Sequence, residues 1–334
     1  MPTNVPPQYR DAEQRFRDAV TIQAKIAALQ EMLQIMPKHK GTDHLKAQLR
    51  SRLSKLMTEL DTSTGSGKGA KTEPFSLPKE GAGRCTLIGP TNVGKSLLLS
   101  SSTGAKSKVG AYALSTQEPI PGMFPFEDIY IQMVDTPPIT NRSTQSRLYG
   151  LLRTTDIFIF VADLTNEAVK NTKESFSELK EWGFKLIEKN NNLENRDFFT
   201  MKPTIIACNK ADVPGALDNY EMMENEFGEN FPLILTSAEE EVGIDELGIE
   251  IFNTLKIIRV YTKSPREKLD NFEKKNPIVL PIGSTVEEAA LQVHKDLSKS
   301  LKYAVLWGSS GKFSGQRVGR THELSDGDII EIHI

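Results

Sequence analysis

The octapeptide GPTNVGKS, residues 89–96, constrains this chain more than any other stretch. It fits G-x-x-x-x-G-K-S, follows the apolar run RCTLI and precedes a helix beginning near Lys95. In that context the motif is a phosphate loop. Gly89 and Gly94 let the backbone turn tightly, and the N–H groups of Asn92, Val93, Gly94, Lys95, Ser96 and Leu97 converge at a helix N-terminus, where phosphate oxygens find unbonded donors. Lys95 would reach the outer phosphates, and Ser96 would ligate Mg2+.

The rest of the centre repeats strand and helix. RCTLIG (84–89), IYIQMVD (129–135), DIFIFVADL (156–164), TIIACNK (204–210) and PLILTS (232–237) are short apolar runs, with helical segments between most of them. Alternation of this kind predicts an α/β fold with a doubly wound, mostly parallel sheet. Asp135, at the end of the second run, brings a carboxylate to the same edge as the phosphate loop, where it would serve Mg2+ through water. Three residues later a nucleotide switch normally places Gly, whose N–H meets the last phosphate; this chain has Pro138, which has no N–H. Ile139 follows, where many small GTPases keep a water-orienting Gln.

Base choice comes from NKAD, 209–212. Asp212 can accept two hydrogen bonds from guanine's N1 and exocyclic amine, an edge adenine does not present. Lys210 would pack along the base, and Asn209 would tie this loop to the phosphate loop. In TSA, 236–238, Ser237 brings up Ala238, whose N–H is a donor for the guanine oxygen. A site that must pair its polar groups rejects the wrong base strongly. The implied ligand is GTP or GDP.

Charge separates the flanks from this centre. Residues 1–72 hold 12 Lys+Arg against 7 Asp+Glu, net +5; residues 258–334 hold 12 against 10, net +2; the middle carries -10. Basic flanks suit a polyanionic partner, although solvated helix faces explain them as well. In the first flank Ile22, Ile26, Leu29 and Leu33 recur at helical spacing. Pro37 and Gly41 interrupt, and Thr42 caps a second stripe of Leu45, Leu49, Leu53, Leu56 and Leu60, with Arg50, Arg52 and Lys55 off the seam. This is a helical hairpin. DTSTGSGKGAKTEP, 61–74, reads as a mobile linker. The chain thus divides into a hairpin at 1–60, a linker at 61–80, a nucleotide domain at 81–257 and a last module at 258–334. In that module Ser284 and Thr285 are candidate helix caps, and Lys302, Tyr303, Trp307, Lys312, Arg317 and Arg320 offer charge and stacking to RNA unless the aromatics are core. It carries no nucleophile with a base, no metal-ligand spacing and no second phosphate loop.

Cys85 and Cys208 each sit in an apolar strand without C-x-x-C spacing, which favours buried thiols over a metal site or disulfide and points to a reducing, cytoplasmic setting. No apolar run approaches the ~18 residues of a membrane span, and the first residues lack a signal-peptide core. A membrane role is not expected.

With these motifs in place the chain resembles the Obg and developmentally regulated GTP-binding GTPases. IGPTNVGKSLLLSSSTGAKSKVGAYALSTQEPIPG looks like their phosphate loop running into switch I, HKGTDHLKAQLRSRLSKLMTEL is similar to the helical hairpin of the second group, and SELKEWGFKL to a segment after their fourth strand. Residues 258–334 resemble a TGS domain, a small ubiquitin-like β-grasp module. The resemblance implies that Thr116 ligates Mg2+ from switch I and that Lys95, Thr116 and Asp135 carry catalysis. It also matches Asn92 to an asparagine that helps hold K+ beside the phosphates; a hydrogen bond within the loop is the alternative role. Two departures stand out. Only 74 residues separate Asp135 from Asn209, too few for the domain these relatives insert there, and their Gly-rich switch II is here DTPPITNRSTQSRLYG.

The combined expectation is a cytoplasmic switch that binds GTP with Mg2+, hydrolyses it slowly with a K+ contribution, and docks on ribosomes or structured RNA, with a protein partner for the TGS domain or hairpin also open. The alternative is a GTP-binding scaffold whose hydrolysis Pro138 and Ile139 impair. A TGS-bearing ATPase is disfavoured because Asp212 selects guanine.

Overall fold

The computed structural model describes residues 7–18, 22–35, 49, 52, 75, 77–103, 118–139, 145–165, 167–187, 200–265 and 269–334. It divides into two units, 1–72 and 73–334. Of the second leucine stripe Leu49 is described and of the residues off its seam Arg52; Pro37, Gly41, Thr42, Leu45, Leu53, Leu56, Leu60, Arg50, Lys55, the 61–74 linker and Thr116 lie outside the described residues.

In the first unit helix α1 (Pro7–Asp18) precedes α2 (Ile22–Ile35). The stripe at 22–33 is therefore the second described helix of the flank, because the polar segment PQYRDAEQRFRD is itself helical. Its Tyr9, Ala12 and Phe16, spaced i, i+3, i+7, meet Leu29 and Met32 of α2, and Leu49 joins the same small core. Arg15 pairs with Glu31 across the two helices. Arg52 is exposed.

In the second unit β1 (Arg84–Ile88), β3 (Ile129–Asp135), β4 (Ile157–Asp163), β6 (Thr200–Asn209), β5 (Phe184–Ile187) and β7 (Leu233–Leu235) form a parallel sheet with β2 (Ile120–Phe126) antiparallel at one edge. The order is β2-β3-β1-β4-β6, and β6 is long enough to pair β5 along its first half and β7 along its second. Strands covered on both faces read as continuous apolar runs. In β4 the period of two then sends Ile157, Ile159 and Val161 into one core and Phe158, Phe160 and Ala162 into the other. Helices α3 (Lys95–Thr103) and α7 (Ile244–Leu255) cover the first face through Leu98, Leu99, Leu247 and Ile251. Helices α4 (Gln145–Thr154), α5 (Ala168–Glu181) and α6 (Ala216–Phe227) cover the second.

Residues 75 and 77–80, assigned to the linker by composition, belong to this unit. Phe75 is buried in the core with Ile88 and Val134, and buried Arg84 donates to Leu77 O at 2.7 Å. An apolar ring beside a buried guanidinium outweighs the polarity of the surrounding residues.

The last module follows α7 directly. Strands β8 (Ile257–Thr262), β9 (Ile278–Pro281), β10 (Tyr303–Trp307), β11 (Gln316–Val318) and β12 (Ile329–His333) form a sheet in the order β11-β10-β12-β8-β9, with α8 (Val286–Val293) and the short α9 (Lys295–Ser300) beside it. Ala289, Ala290 and Val286 pack on Val260, Leu306 and Ile330. Thr285 is the N-cap of α8 in a capping box with Glu288, while Ser284 is buried and caps nothing. The module is fastened to the nucleotide domain at the β2–β3 turn. Arg259 on β8 bonds Glu127, Asp128 at 3.1 Å and Asp326 at 2.8 Å, and Tyr261 donates to Asp128 at 2.5 Å.

Candidate functional site

In this strand order the connections leaving β1 and β3 run to opposite sides of β1, so a crevice opens at the carboxyl end of β1, where such sheets bind ligands. GPTNVGKS occupies that crevice. Gly89 has φ +145° and a Cβ there would lie 2.7 Å from Val161 O; Gly94 has φ +94° and a Cβ would lie 2.3 Å from the Asn209 side-chain nitrogen. Both positions require glycine. Asn92, exposed on the loop, is also left-handed at φ 62°. The loop leads into α3, whose first residue is Lys95.

Lys95 is buried, and its Nζ donates to Gly89 O at 3.1 Å and Pro90 O at 2.5 Å. Burial lowers its pKa from 10.5 to about 8, with Asp135 pulling the other way. Ser96 Oγ donates to Asp135 Oδ2 at 2.5 Å. Asp135 is held in place by its strand and by the next residue, since buried Thr136 donates to Leu87 O at 2.7 Å and fixes the exit from β3. One hydroxyl and one carboxylate side by side suit a hard cation that completes its shell with water and phosphate oxygens, so Ser96 and Asp135 fit Mg2+. Among the described residues no cluster of three or more His, Cys, Asp or Glu forms a self-sufficient metal cage.

The base side is built around Asn209. Its Nδ2 donates to Val93 O at 2.9 Å, and its Oδ1 accepts from Ala238 N at 3.0 Å and from Thr236 Oγ1 at 3.4 Å. One buried amide thus joins the phosphate loop, the NKAD loop and the TSA loop. The Ala238 N–H, expected to face guanine's oxygen, is instead directed at Asn209, because a buried amide seeks an acceptor. Asp212 is exposed and accepts from Ser237 Oγ at 2.5 Å, which orients its carboxylate beside the loop. Lys210 pairs with Asp163 at the end of β4 at 2.5 Å. Burial pushes the Asp163 carboxyl up, but hydrogen bonds from Lys210 and Thr165 outweigh it and leave the pKa lowered. Asp163 and Thr136 were not singled out from sequence, although the first carboxylate after an apolar run, as in VAD, is the signal that identified Asp135.

Leu97 is exposed on the first turn of α3, and Val93 is buried beneath the loop. Pro138 is buried. Ile139 is fully buried with Phe75, Ile88, Val134 and Leu148, so its side chain belongs to the core and does not face the phosphate loop's ligand side. The two cysteines are free, buried thiols; burial pushes Cys208 up to about 12. Among the described residues no helix is long and apolar enough to cross a membrane.

A phosphate loop, a hydroxyl–carboxylate pair and an NKxD loop on one sheet edge define a P-loop GTP-binding protein. Residues 84–210 match the family described as 50S ribosome-binding GTPase, and residues 258–334 match the TGS domain. Developmentally-regulated GTP-binding protein 1 of Xenopus laevis is 28% identical over 362 aligned positions, covering 92% of this chain and 98% of its own. Developmentally-regulated G-protein 3 of Arabidopsis thaliana is 29% identical, covering 93% and 98%. Residues 84–210 thus form a GTPase domain and residues 258–334 a TGS domain, and over most of its length the chain is similar to proteins named developmentally-regulated GTP-binding proteins. Both alignments run over more positions than the 334 residues of this chain, so these relatives carry segments it lacks. A solved GTP-binding protein from Pyrococcus horikoshii shares the fold, with TM-score 0.50 and 19% identity over 75% of this chain and 99% of its own.

Proposed function

We propose that the protein is a cytoplasmic GTP switch whose nucleotide state controls docking on ribosomes or structured RNA. The observation that carries the guanine-nucleotide part is the Asn209 bridge: its side chain ties Val93 of the phosphate loop to Ala238, and the neighbouring Ser237 holds the base acceptor Asp212. Ser96 and Thr116 would hold Mg2+, with Asp135 serving it through water, and the ion would supply positive charge against the phosphates; Lys95 would turn from the loop carbonyls to the outer phosphates. Asn92, exposed on the phosphate loop, would help hold K+ as a second positive charge. The ribosome part is supported by the description of the matched GTPase family and by the basic flanks. The TGS domain and the helical hairpin are the surfaces a protein partner would share.

A second reading, a GTP-binding scaffold with impaired hydrolysis, is favoured by two observations: Ile139 is a core residue and Pro138 offers no N–H. Both readings are tested with the full-length protein. Calorimetry with GTP, GDP, ATP and XTP should give guanine nucleotides far ahead of ATP, and Asp212→Asn should exchange guanine for xanthine preference because the amide reverses the hydrogen-bonding pattern. Hydrolysis should be faster in K+ than in Na+ buffer, and sedimentation with salt-washed ribosomes should depend on nucleotide and weaken with salt. Equal ATP and GTP binding sinks the site assignment. Binding without turnover in either buffer selects the scaffold.

A further inference from the structure

The TGS module's modest net charge conceals a segregation. Residues 302–320, the β10–β11 hairpin, hold Lys302, Lys312, Arg317 and Arg320 and no Asp or Glu, whereas the remainder of 258–334 holds eight basic residues against ten acidic ones. The hairpin is therefore net +4 on a module otherwise net negative. It also carries three aromatics, and their environments differ.

Tyr303 is enclosed on both faces: the Arg317 guanidinium lies 3.6 Å from its ring centre, and His333 stacks on it at 4.5 Å with planes 8° apart. Trp307 has Lys263 over its ring at 5.0 Å. Phe313, in the loop joining the strands, is 65% exposed, and among the described residues no ring or cation stacks on it. A single exposed apolar side chain is ordinary on a protein surface; what distinguishes Phe313 is that its ring stands on a basic segment free of Asp and Glu.

The loop under Phe313 is pinned. Fully buried Asp328 accepts from Ser310 Oγ at 2.5 Å and from Ser325 N at 2.8 Å. Gly308 has φ +153° and a Cβ there would lie 2.0 Å from Asp328 Oδ1, so the loop begins flush against that carboxylate. At the other end Gly315 N donates to Leu306 O at 2.9 Å and Lys312 N to Gln316 Oε1 at 2.6 Å. Phe313 is thus presented from a braced turn, which lowers the ordering cost of binding.

We propose that this hairpin is the RNA-contacting element of the protein, with Phe313 stacking on an unpaired base and Lys312 and Arg317 meeting the flanking phosphates; the proposal rests on the RNA-docking part of the function above. Aromatic stacking is tolerant of base identity, and a guanidinium lying flat on a ring keeps its N–H edge available for phosphate. An exposed aromatic within a basic, acid-free segment fits a polyanion with π-faces better than an apolar protein groove.

The test uses full-length protein with a short mixed-sequence single-stranded RNA and with salt-washed ribosomes. Phe313→Ala should weaken both by about tenfold or more, and Phe313→Trp should restore them. Lys312→Ala should reduce the salt dependence by about one released counterion. GTP affinity and Tm should stay unchanged in each. Photo-crosslinking from position 313 should label RNA. Wild type that binds while Phe313→Ala binds equally overturns the hairpin assignment alone, and crosslinks only to protein also overturn it in favour of a protein partner. Wild type that binds neither probe at any salt overturns the docking function as well.

Discussion

Two buried lysines stand at opposite ends of the same sheet. Lys95, at the carboxyl end of β1, donates to Gly89 O and Pro90 O; Lys202, near the start of β6, donates to Arg153 O at 2.7 Å and to Thr155 O. Both are almost fully enclosed, and burial lowers both pKa values to about 8. Depressed pKa therefore does not separate a functional lysine from a structural one. Helix polarity does. Arg153 and Thr155 lie at the C-terminus of α4, where a cation satisfies orphan carbonyls and the negative end of the dipole. Lys95 is the first residue of α3, a cation at the positive end of a helix. That placement opposes the local rule, and its explanation is an anion arriving at the same point.

Removing each lysine in turn should split stability from binding, the largest effect expected. Lys95→Ala should lower GTP affinity by about a hundredfold or more, since charge-assisted contacts to the outer phosphates are lost, while Tm holds or rises. Lys202→Met should leave GTP affinity within about twofold and lower Tm by several degrees, because the α4 carbonyls lose their donor. Calorimetry and thermal melts check both. A Lys95→Ala protein that melts like Lys202→Met and still binds GTP would break the comparison.

pH sharpens it. Between about 8 and 10.5 the unfolded chain holds more protons on these lysines than the folded protein, so their burial penalty fades and their contribution to stability rises with pH. Only Lys95 should also couple to ligand. Triphosphate favours its ammonium form, so binding near pH 8 to 9 should take up a proton, and affinity should fall as pH rises past about 8. Titration calorimetry in buffers of different ionisation enthalpy measures the uptake. Lys202→Met should keep it, and proton-neutral binding by wild type would assign the titration elsewhere.

The site was legible in the sequence where chemistry fixes spacing. The phosphate loop needs glycine at 89 and 94, and the Cβ contacts at both positions give the reason. β1, β3, β4 and β6 were legible because burial on both faces leaves unbroken apolar runs. β2 was hidden by two prolines and a glycine in IPGMFPF. Among the described residues it pairs only with β3, and Pro121 and Pro125 share one parity, so the donors toward β3 come from its other residues. Helix α1 was hidden because, among its described side chains, the buried face is Tyr9 and Ala12, with Phe16 half-buried. At the site itself, no local pattern announces that Asp163 would meet Lys210 or that the Ala238 N–H would turn to Asn209, since both pairings join separate strand ends.

The smallest expected effect lies at Pro138, beside Asp135, and it asks whether the phosphate end of the site is as complete as the base end. The segment after β3 is anchored on both sides, by the Thr136 hydrogen bond to Leu87 O and by Ile139 in the core. Between these anchors two prolines hold φ near about -65° and supply no N–H. Pro138→Gly introduces a donor within the anchored frame and frees the backbone to bring it toward a third phosphate. A hydrogen bond to a charged group contributes roughly 1.5 to 3 kcal/mol, so the preference for GTP over GDP should rise about tenfold or more. Against this, glycine enlarges the unfolded ensemble and should reduce stability by about 0.4 to 1 kcal/mol, a modest drop in Tm. The two effects separate cleanly because one is read from a ratio of affinities and the other from a melt. A variant with lowered Tm and an unchanged GTP/GDP ratio would show that another donor, such as the N–H of Ile139, already meets the third phosphate, and that the missing N–H at 138 does not impair the switch.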